Sequence, residues 1–255
     1  MDLSAQSLFT VAGKTAIVTG GSSGIGRMIA SVLAANGVRA TIVGRKQPAL
    51  EAAAAELGCE FILADLSKPD EITRFATEIA AREPAIDILV NNAGATWGAP
   101  FDTFPLDAFD KVFALNVRTP FLLTQALLPL LEARATAEDF SRVIQISSVG
   151  ARMLGDDGGS VAYGPSKAAV EQMTRVMARQ LGSRRITVNC IAPGWFPSKM
   201  NAPLGDAAAA DWISRTPVGR LGNARDVGGL AMFLCSPAGM YVSGQVINCD
   251  GGRSL

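Results

Sequence analysis

Short, continuously apolar runs rich in β-branched residues recur along the chain, separated by longer alanine- and leucine-rich stretches. The spacing of Ile25, Ile29 and Leu33 in one such stretch is helical. Apolar runs without alternation are typical of strands buried on both faces, and strands separated by helices indicate parallel pairing with right-handed crossovers. The pattern predicts a doubly wound α/β domain of about seven strands with helices on both faces. The predicted strands are residues 15–19, 40–43, 60–63, 86–90, 142–147, 186–192 and 245–248.

The same pattern predicts one domain over residues 1–255, because no proline- or glycine-rich linker and no internal repeat divides the chain. The segment from residue 195 to residue 217 is the exception. It is long, has few apolar anchors and contains three prolines, so we expect it to form a mobile lid over a site instead of joining the sheet.

Composition narrows the classes of function. The 23 basic and 23 acidic residues cancel, so no global field would recruit nucleic acid or an anionic membrane. The first ten residues carry no basic run before an apolar core, and no apolar stretch is long enough to span a bilayer, which predicts a cytoplasmic protein. Without histidine and without a C-x-x-C pair, the chain is predicted to bind no metal and to keep its four cysteines as thiols.

A glycine-rich turn follows the first predicted strand directly and opens an amphipathic helix. Glycines there permit positive φ angles and let a pyrophosphate approach the backbone amides at the positive end of the helix. The spacing is G-x-x-x-G-x-G, and a merely structural tight turn is the alternative. The position after the first strand favours dinucleotide binding.

Arg45 follows the second predicted strand, where a dinucleotide-binding domain meets the adenosine ribose. A carboxylate there would bind the ribose 2′-hydroxyl, whereas a guanidinium pairs with a 2′-phosphate. Arg45 therefore favours NADP(H) over NAD(H). The alternative is a solvated basic pair, Arg45 and Lys46, at the start of the next helix.

Tyr163 and Lys167 are four residues apart at the start of a predicted helix, so they lie on one face of it. A free tyrosine titrates at about 10, and a neighbouring cation lowers that pKa by stabilising the phenolate. The pair predicts a tyrosine that acts as general acid or base. A surface tyrosine and a surface lysine at chance spacing are the alternative.

Four further motifs occur in order along the chain: Asn91-Asn92-Ala93-Gly94, Asn116, Ser147-Ser148 and Pro193-Gly194. With the glycine turn and the Tyr163 to Lys167 motif, they resemble the short-chain dehydrogenase/reductase family over nearly the whole chain. The resemblance implies a single Rossmann domain and a catalytic tetrad of Asn116, Ser148, Tyr163 and Lys167.

In that tetrad, Tyr163 would donate a proton to a substrate carbonyl while Ser148 holds the oxygen in line. Lys167 would contact the nicotinamide ribose and lower the tyrosine pKa, and Asn116 would bind a water that links Lys167 to solvent. We choose Ser148 over Ser147 because family members place this serine just before a step similar to Val149-Gly150.

The resemblance also implies the binding residues. Those for the cofactor are Gly20, Ser22, Ser23, Gly24, Ile25, Gly26, Arg45, Asp65, Asn91, Ala93, Gly94, Tyr163, Lys167, Pro193, Gly194, Phe196 and Ser198. Those for the substrate are Trp97, Met153, Leu154, Trp195 and Met200, to which the ring of Phe196 would add an apolar wall.

The motifs resemble most closely the β-ketoacyl reductases, particularly the rhamnolipid-type subgroup. This implies NADPH-dependent reduction of a 3-oxoacyl thioester, with an acyl carrier protein as one carrier to consider. A sugar or polyol dehydrogenase, a broad ketone reductase and a non-enzymatic NADP-sensing protein are alternatives.

Family members of this length commonly form homotetramers through two long helices, near residues 105–132 and 162–181, and the last strand. Arg184 and Arg185 fall where carrier-dependent reductases have a docking residue, although two solvated arginines at a helix end remain the alternative.

Overall fold

All seven predicted hydrophobic runs form strands, with boundaries that differ by at most two residues from those predicted. The computed structural model describes residues 2–154, 160–198 and 205–255. The strands are β1 (Thr15–Thr19), β2 (Arg39–Gly44), β3 (Glu60–Leu63), β4 (Ile88–Asn91), β5 (Ser141–Ile146), β6 (Ile186–Pro193) and β7 (Val246–Cys249).

The helices occupy the alanine- and leucine-rich stretches between these strands. They are α1 (Ala5–Phe9), α2 (Gly24–Ala35), α3 (Gln47–Leu57), α4 (Pro69–Arg82), α5 (Leu106–Phe113), α6 (Thr119–Arg134), α7 (Tyr163–Leu181), α8 (Gly205–Ser214) and α9 (Ala224–Cys235). A π-helical turn, Ala114–Arg118, joins α5 to α6.

The strands pair in parallel in the order β3-β2-β1-β4-β5-β6-β7, which confirms the predicted parallel sheet. From β1 the chain adds β2 and β3 on one side of the sheet. It then crosses back and adds β4 to β7 on the other side of β1. In sheets of this kind ligands bind outside the carboxyl ends of the strands, where the strand order reverses. The crevice expected for a ligand therefore lies at the carboxyl ends of β1 and β4.

Helices cover both faces of the sheet, and alternate strand residues point into two separate cores. In β1, Ala16 and Val18 pack with α2, α3 and α9, whereas Ile17 packs on the opposite face with α4, α6 and α7. Because both faces of the central strands are buried, these strands are mostly apolar along their length, which explains the continuous runs in the sequence.

The amino ends of the strands carry a cluster of buried charges. The Asp87 carboxylate, 4% exposed, accepts a hydrogen bond from the Thr15 amide at 2.8 Å and pairs with Arg134 at 2.6 Å. This cluster lies at the edge of the sheet opposite to the glycine turn, which follows the carboxyl end of β1.

Within the described residues, no helix is both long and apolar enough to cross a membrane. The four cysteines are unpaired; Cys190 and Cys235 are buried, whereas Cys59 and Cys249 are half-buried.

Candidate active site

The glycine turn closes the carboxyl end of β1 and begins α2. Gly20 and Gly24 have φ angles of +67° and +54°, which residues with a Cβ rarely adopt. A Cβ on Gly26 would lie 2.6 Å from the Gly20 carbonyl oxygen and 2.3 Å from Asn92 Nδ2, so only glycine fits there. The first amides of a helix have no partner within the helix, so they can bind a phosphate. The residues that carry or flank these amides are half-buried: Ser22, Ser23, Gly24 and Ile25.

Asn92 is a site residue that the sequence analysis did not select. Its side chain donates to the Thr19 carbonyl oxygen at 2.7 Å, while its backbone amide and that of Ala93 donate to Thr19 Oγ1, each at 2.9 Å. These bonds fix the turn after β4 onto the end of β1. The sequence feature that could have identified Asn92 is its place in the Asn-Asn-Ala-Gly motif, directly after the selected Asn91.

The side chain of the neighbouring Asn91 is held inside the fold. Its side chain is buried and donates to Thr124 Oγ1 in α6 at 3.1 Å, so it points away from the crevice. Only the backbone of Asn91 remains for a cofactor contact. Ala93 and Gly94, the next residues of the motif, are half-buried at the crevice.

Arg45 and Asp65 lie at the carboxyl ends of β2 and β3. The Arg45 side chain is exposed and, among the described residues, takes part in no ion pair. Asp65 accepts from Ser67 Oγ at 2.7 Å, and this hydrogen bond is the main reason that its pKa is lowered, with a smaller contribution from the Arg45 charge. The pair therefore presents a free guanidinium and a charged carboxylate at the same edge of the sheet.

Lys167 is buried on the first turns of α7. Its Nζ donates to the Ile146 carbonyl oxygen at 2.8 Å and lies 5.7 Å from the centroid of the Tyr163 ring. Burial lowers the pKa of the ammonium to about 8. The helical spacing of four residues thus brings the two side chains together as predicted.

Ser148 is the serine that reaches the phenol. Its hydrogen bond with Tyr163 is one cause of the Tyr163 pKa shift, and its Oγ also accepts from the Gly150 amide at 3.1 Å. Ser147 is buried and its hydroxyl faces the carboxylate of Glu171 at 3.0 Å. The geometry therefore favours Ser148 over Ser147, as the sequence analysis does.

The predicted direction of the Tyr163 pKa shift is wrong. Burial raises the pKa of the phenol above its ordinary value of 10.0, and the hydrogen bond from Ser148 offsets only part of that effect. Helical spacing indicated the nearby cation but gave no measure of desolvation, which is the largest cause of the shift.

Asn116 lies in the π-helical turn and its amide is fully engaged. Oδ1 accepts from the Ala95 amide at 2.8 Å, and Nδ2 donates to the Ala95 carbonyl oxygen and to Ser166 Oγ, each at 2.9 Å. A Cβ on Gly94 would lie 3.2 Å from Asn116 Oδ1 and 3.5 Å from Lys167 Nζ. Asn116 therefore anchors the turn after β4 against α7, and its water relay to Lys167 stays a prediction.

The segment after β6 turns back over the glycine turn. Buried Pro193 ends the strand, and the Gly194 amide donates to the Cys249 carbonyl oxygen at 3.0 Å. A Cβ on Gly24 would lie 3.2 Å from Ser198 Cβ, so Ser198 lies directly beside the predicted phosphate turn. This position fits its predicted contact with the cofactor.

Phe196 does not present its ring to the crevice. The side chain is 2% exposed and packs in the core, where a Cβ on Gly222 would lie 2.4 Å from its Cζ. The expectation that the ring faces substrate is therefore wrong, because glycine at position 222 opens a core pocket that the sequence pattern does not reveal. Only the backbone of Phe196 remains for the cofactor.

The other predicted substrate residues divide into two groups. Trp97 and Leu154 are exposed, Met153 is half-buried, and the Trp97 carbonyl oxygen accepts from Ser160 Oγ at 2.7 Å just before α7. Trp195 instead packs on Trp212 of α8, with ring centroids 5.6 Å apart, beside a cavity of about 360 Å³ against the carboxyl end of β7. Met200 and part of the predicted lid lie outside the described residues.

Comparison with known proteins finds similar sequences over nearly the whole chain. Residues 20–254 match the sequence family described as "Enoyl-(Acyl carrier protein) reductase". The chain is 43% identical to the rhamnolipids biosynthesis 3-oxoacyl-[acyl-carrier-protein] reductase of Pseudomonas aeruginosa, over 97% of this chain and 98% of that protein.

Two solved structures are also similar. One is described as a Pseudomonas aeruginosa RhlG/NADP active-site complex, with a TM-score of 0.93 and 41% identity over 98% of this chain and 99% of the other. The second is a gluconate 5-dehydrogenase from Burkholderia cenocepacia in complex with NADP and tartrate, with a TM-score of 0.90 and 31% identity over 98% and 99%.

Proposed function

The chain belongs to the short-chain dehydrogenase/reductase family, and we propose that it is an NADPH-dependent reductase of 3-oxoacyl thioesters. The observation that carries the proposal is the convergence of Ser148, Tyr163 and Lys167 at the carboxyl edge of the sheet, beside the glycine turn.

The crevice fits an NADP(H) molecule. The pyrophosphate would lie on the amides at the start of α2, where Gly26 leaves room that a Cβ would fill. Arg45, which is exposed and forms no ion pair among the described residues, would bind the 2′-phosphate. When bound, this cofactor supplies the hydride for carbonyl reduction. The NADP complexes of the similar proteins support this choice.

The remaining chemistry belongs to the side chains of this protein. Ser148 would donate a hydrogen bond to the substrate carbonyl oxygen and hold it beside the Tyr163 hydroxyl. Tyr163 would transfer its proton to that oxygen as negative charge develops on it. Burial raises the Tyr163 pKa, so the phenol holds its proton at neutral pH, as a proton donor must.

Lys167 would stabilise the phenolate that forms. With a pKa of about 8, its ammonium is mostly charged at neutral pH, and it lies near the Tyr163 ring. The same ammonium would donate to the ribose hydroxyls of the nicotinamide half of the cofactor. Asn116 supports this arrangement by fixing the segment after Gly94 against α7.

We propose an acyl substrate because the predicted substrate residues are mostly apolar. Trp97 and Leu154, both exposed, would gain about 25 cal/mol per Å² on covering an acyl chain, whereas a sugar would leave hydroxyls without partners. The name of the Pseudomonas relative supports the same class. A sugar or polyol dehydrogenase is the second candidate, favoured by the similarity to gluconate 5-dehydrogenase.

The proposal extends to the predicted lid, to the location of the enzyme in the cell and to the carrier of its substrate. We propose that residues 195–217 cover the substrate, that the enzyme is cytoplasmic, and that its substrate is carried by an acyl carrier protein. Arg184 is half-exposed and therefore accessible to an acidic carrier, whose carboxylates would compete with Glu132, its present partner at 3.1 Å. Arg184→Glu should then penalise a carrier-bound substrate more than a small thioester mimic, and equal penalties would rule out this docking role.

The experiment that tests the proposed function follows NADPH oxidation with a 3-oxoacyl thioester in the native protein and in Tyr163→Phe. We expect the variant to bind NADPH normally and to lose turnover by about 10²-fold or more. Tyr241→Phe is the matched control, because Tyr241 is the chain's second tyrosine and is fully exposed. Near-native turnover in Tyr163→Phe would contradict the proposal.

A further inference from the structure

Glu171 lies one turn after Lys167 on α7 and holds two residues of one loop. Its side chain is 7% exposed. Oε1 accepts from Ser147 Oγ at 3.0 Å, and Oε2 accepts from Arg152 Nε at 3.0 Å. Ser147 and Arg152 stand on either side of Ser148 in the chain. The Ser147 hydroxyl also lies 3.2 Å from the Lys167 carbonyl oxygen, so Glu171 provides the nearer of its two acceptors on α7. The same buried carboxylate therefore contacts the loop both before and after the proposed catalytic serine.

The loop between these two anchors packs directly on α7. A Cβ on Gly164 would lie 2.8 Å from the Gly150 carbonyl oxygen, so the loop approaches the helix as closely as a backbone can. The Gly150 amide donates to Ser148 Oγ at 3.1 Å. The position of the Ser148 hydroxyl thus depends on how the whole loop is held against the helix.

Arg152 extends the connection to the end of the chain. Its Nη1 donates to Asn248 Oδ1 in β7 at 3.1 Å, and Asn248 Nδ2 donates to Ser254 Oγ at 2.7 Å. Asn248 also lines the cavity beside Trp195. The serine loop is therefore tied to α7 on one side and to the carboxyl-terminal turn on the other.

We propose that Glu171 is a positioning residue that, through Ser147 and Arg152, holds Ser148 beside Tyr163. The inference rests on the proposed function. A role limited to stability is the competing explanation, because removing one partner of a buried ion pair destabilises any fold. The rate of the chemical step distinguishes these two explanations. It falls when a group that orients the substrate is displaced, whereas a loss of stability alone does not lower it.

The chain offers a closely matched control at the other edge of the sheet. Arg152 is 45% exposed and pairs with a carboxylate that is 7% exposed, whereas Arg134 is 48% exposed and pairs with Asp87, which is 4% exposed. We expect Arg152→Gln and Arg134→Gln to lower the melting temperature comparably. Arg152→Gln should also lower kcat by about 10- to 100-fold with little change in NADPH affinity, whereas Arg134→Gln should not. Equal kcat values for the two variants would overturn the proposal.

A second readout does not depend on any substrate. In a Tyr241→Phe background Tyr163 is the sole tyrosine, and its phenolate absorbance can be followed after rapid pH jumps. The hydrogen bond from Ser148 lowers the Tyr163 pKa, so releasing Ser148 should raise it. Glu171→Gln removes a negative charge, which by itself would lower that pKa.

A raised Tyr163 pKa in Glu171→Gln supports the positioning role even if the native protein reduces no thioester, in which case the proposed function alone fails. An unchanged or lowered pKa overturns the positioning role, whatever the substrate proves to be.

Discussion

Arg45 decides the choice between NADPH and NADH in this account. Because its guanidinium forms no ion pair among the described residues and interacts with the Asp65 carboxylate only at longer range, a 2′-phosphate would supply a direct partner. We expect Arg45→Ala to weaken NADPH binding by about 1.5 to 3 kcal/mol and to leave NADH binding nearly unchanged. Fluorescence titration with both cofactors measures this difference. Equal losses for the two would make Arg45 a scaffold residue.

At the scale of single residues, the sequence predicted the positions that depend on local spacing. Tyr163 and Lys167 are one helical turn apart, so their meeting followed from helix geometry. The pKa of Tyr163 and the burial of Phe196 depend on residues distant in the chain. A single sequence does not reveal that Gly222 leaves room for the Phe196 ring, or that burial raises the Tyr163 pKa by more than the Ser148 hydrogen bond lowers it.

The junction of β1, the glycine turn and α2 is the element on which cofactor binding depends. We expect Gly26→Ala to destabilise the protein by about 1–3 kcal/mol, because a Cβ would overlap both Asn92 and the Gly20 carbonyl. NADPH affinity should fall as well. Gly229→Ala in α9 is the control, since a Cβ there meets nothing within 4 Å and alanine favours the helix. Chemical denaturation would measure both, and equal stabilities would contradict the close packing.

At the scale of elements, strands were easier to predict than irregular segments. Continuous apolar runs indicate strands buried on both faces, and all seven were located. The π-helical turn at Ala114–Arg118 leaves no mark in the hydrophobic pattern, because its residues continue the apolar spacing of α5 and α6. Helix α8, inside the segment predicted as a lid, shows that few apolar anchors do not exclude a helix.

The whole molecule is expected to be a homotetramer with two-fold axes. Apolar side chains remain exposed on the helices assigned to the interfaces: Leu106 on α5 is 74% exposed, Phe121 on α6 46% and Val176 on α7 47%. We expect Val176→Glu to shift the tetramer toward smaller species in sedimentation velocity, whereas Leu3→Glu, which alters an exposed residue outside these helices, should not. A native protein that sediments as a stable monomer at micromolar concentration would contradict the prediction.

The central claim is that this protein reduces 3-oxoacyl thioesters with NADPH. Its most direct test compares kcat/KM for a 3-oxoacyl thioester, a keto sugar and a simple ketone, each with NADPH and with NADH. We predict the highest kcat/KM for the thioester with NADPH, because the exposed Trp97 and Leu154 would cover an acyl chain and Arg45, which is exposed and forms no ion pair among the described residues, would bind the 2′-phosphate. A higher kcat/KM for the keto sugar would contradict the account and make the protein a polyol dehydrogenase.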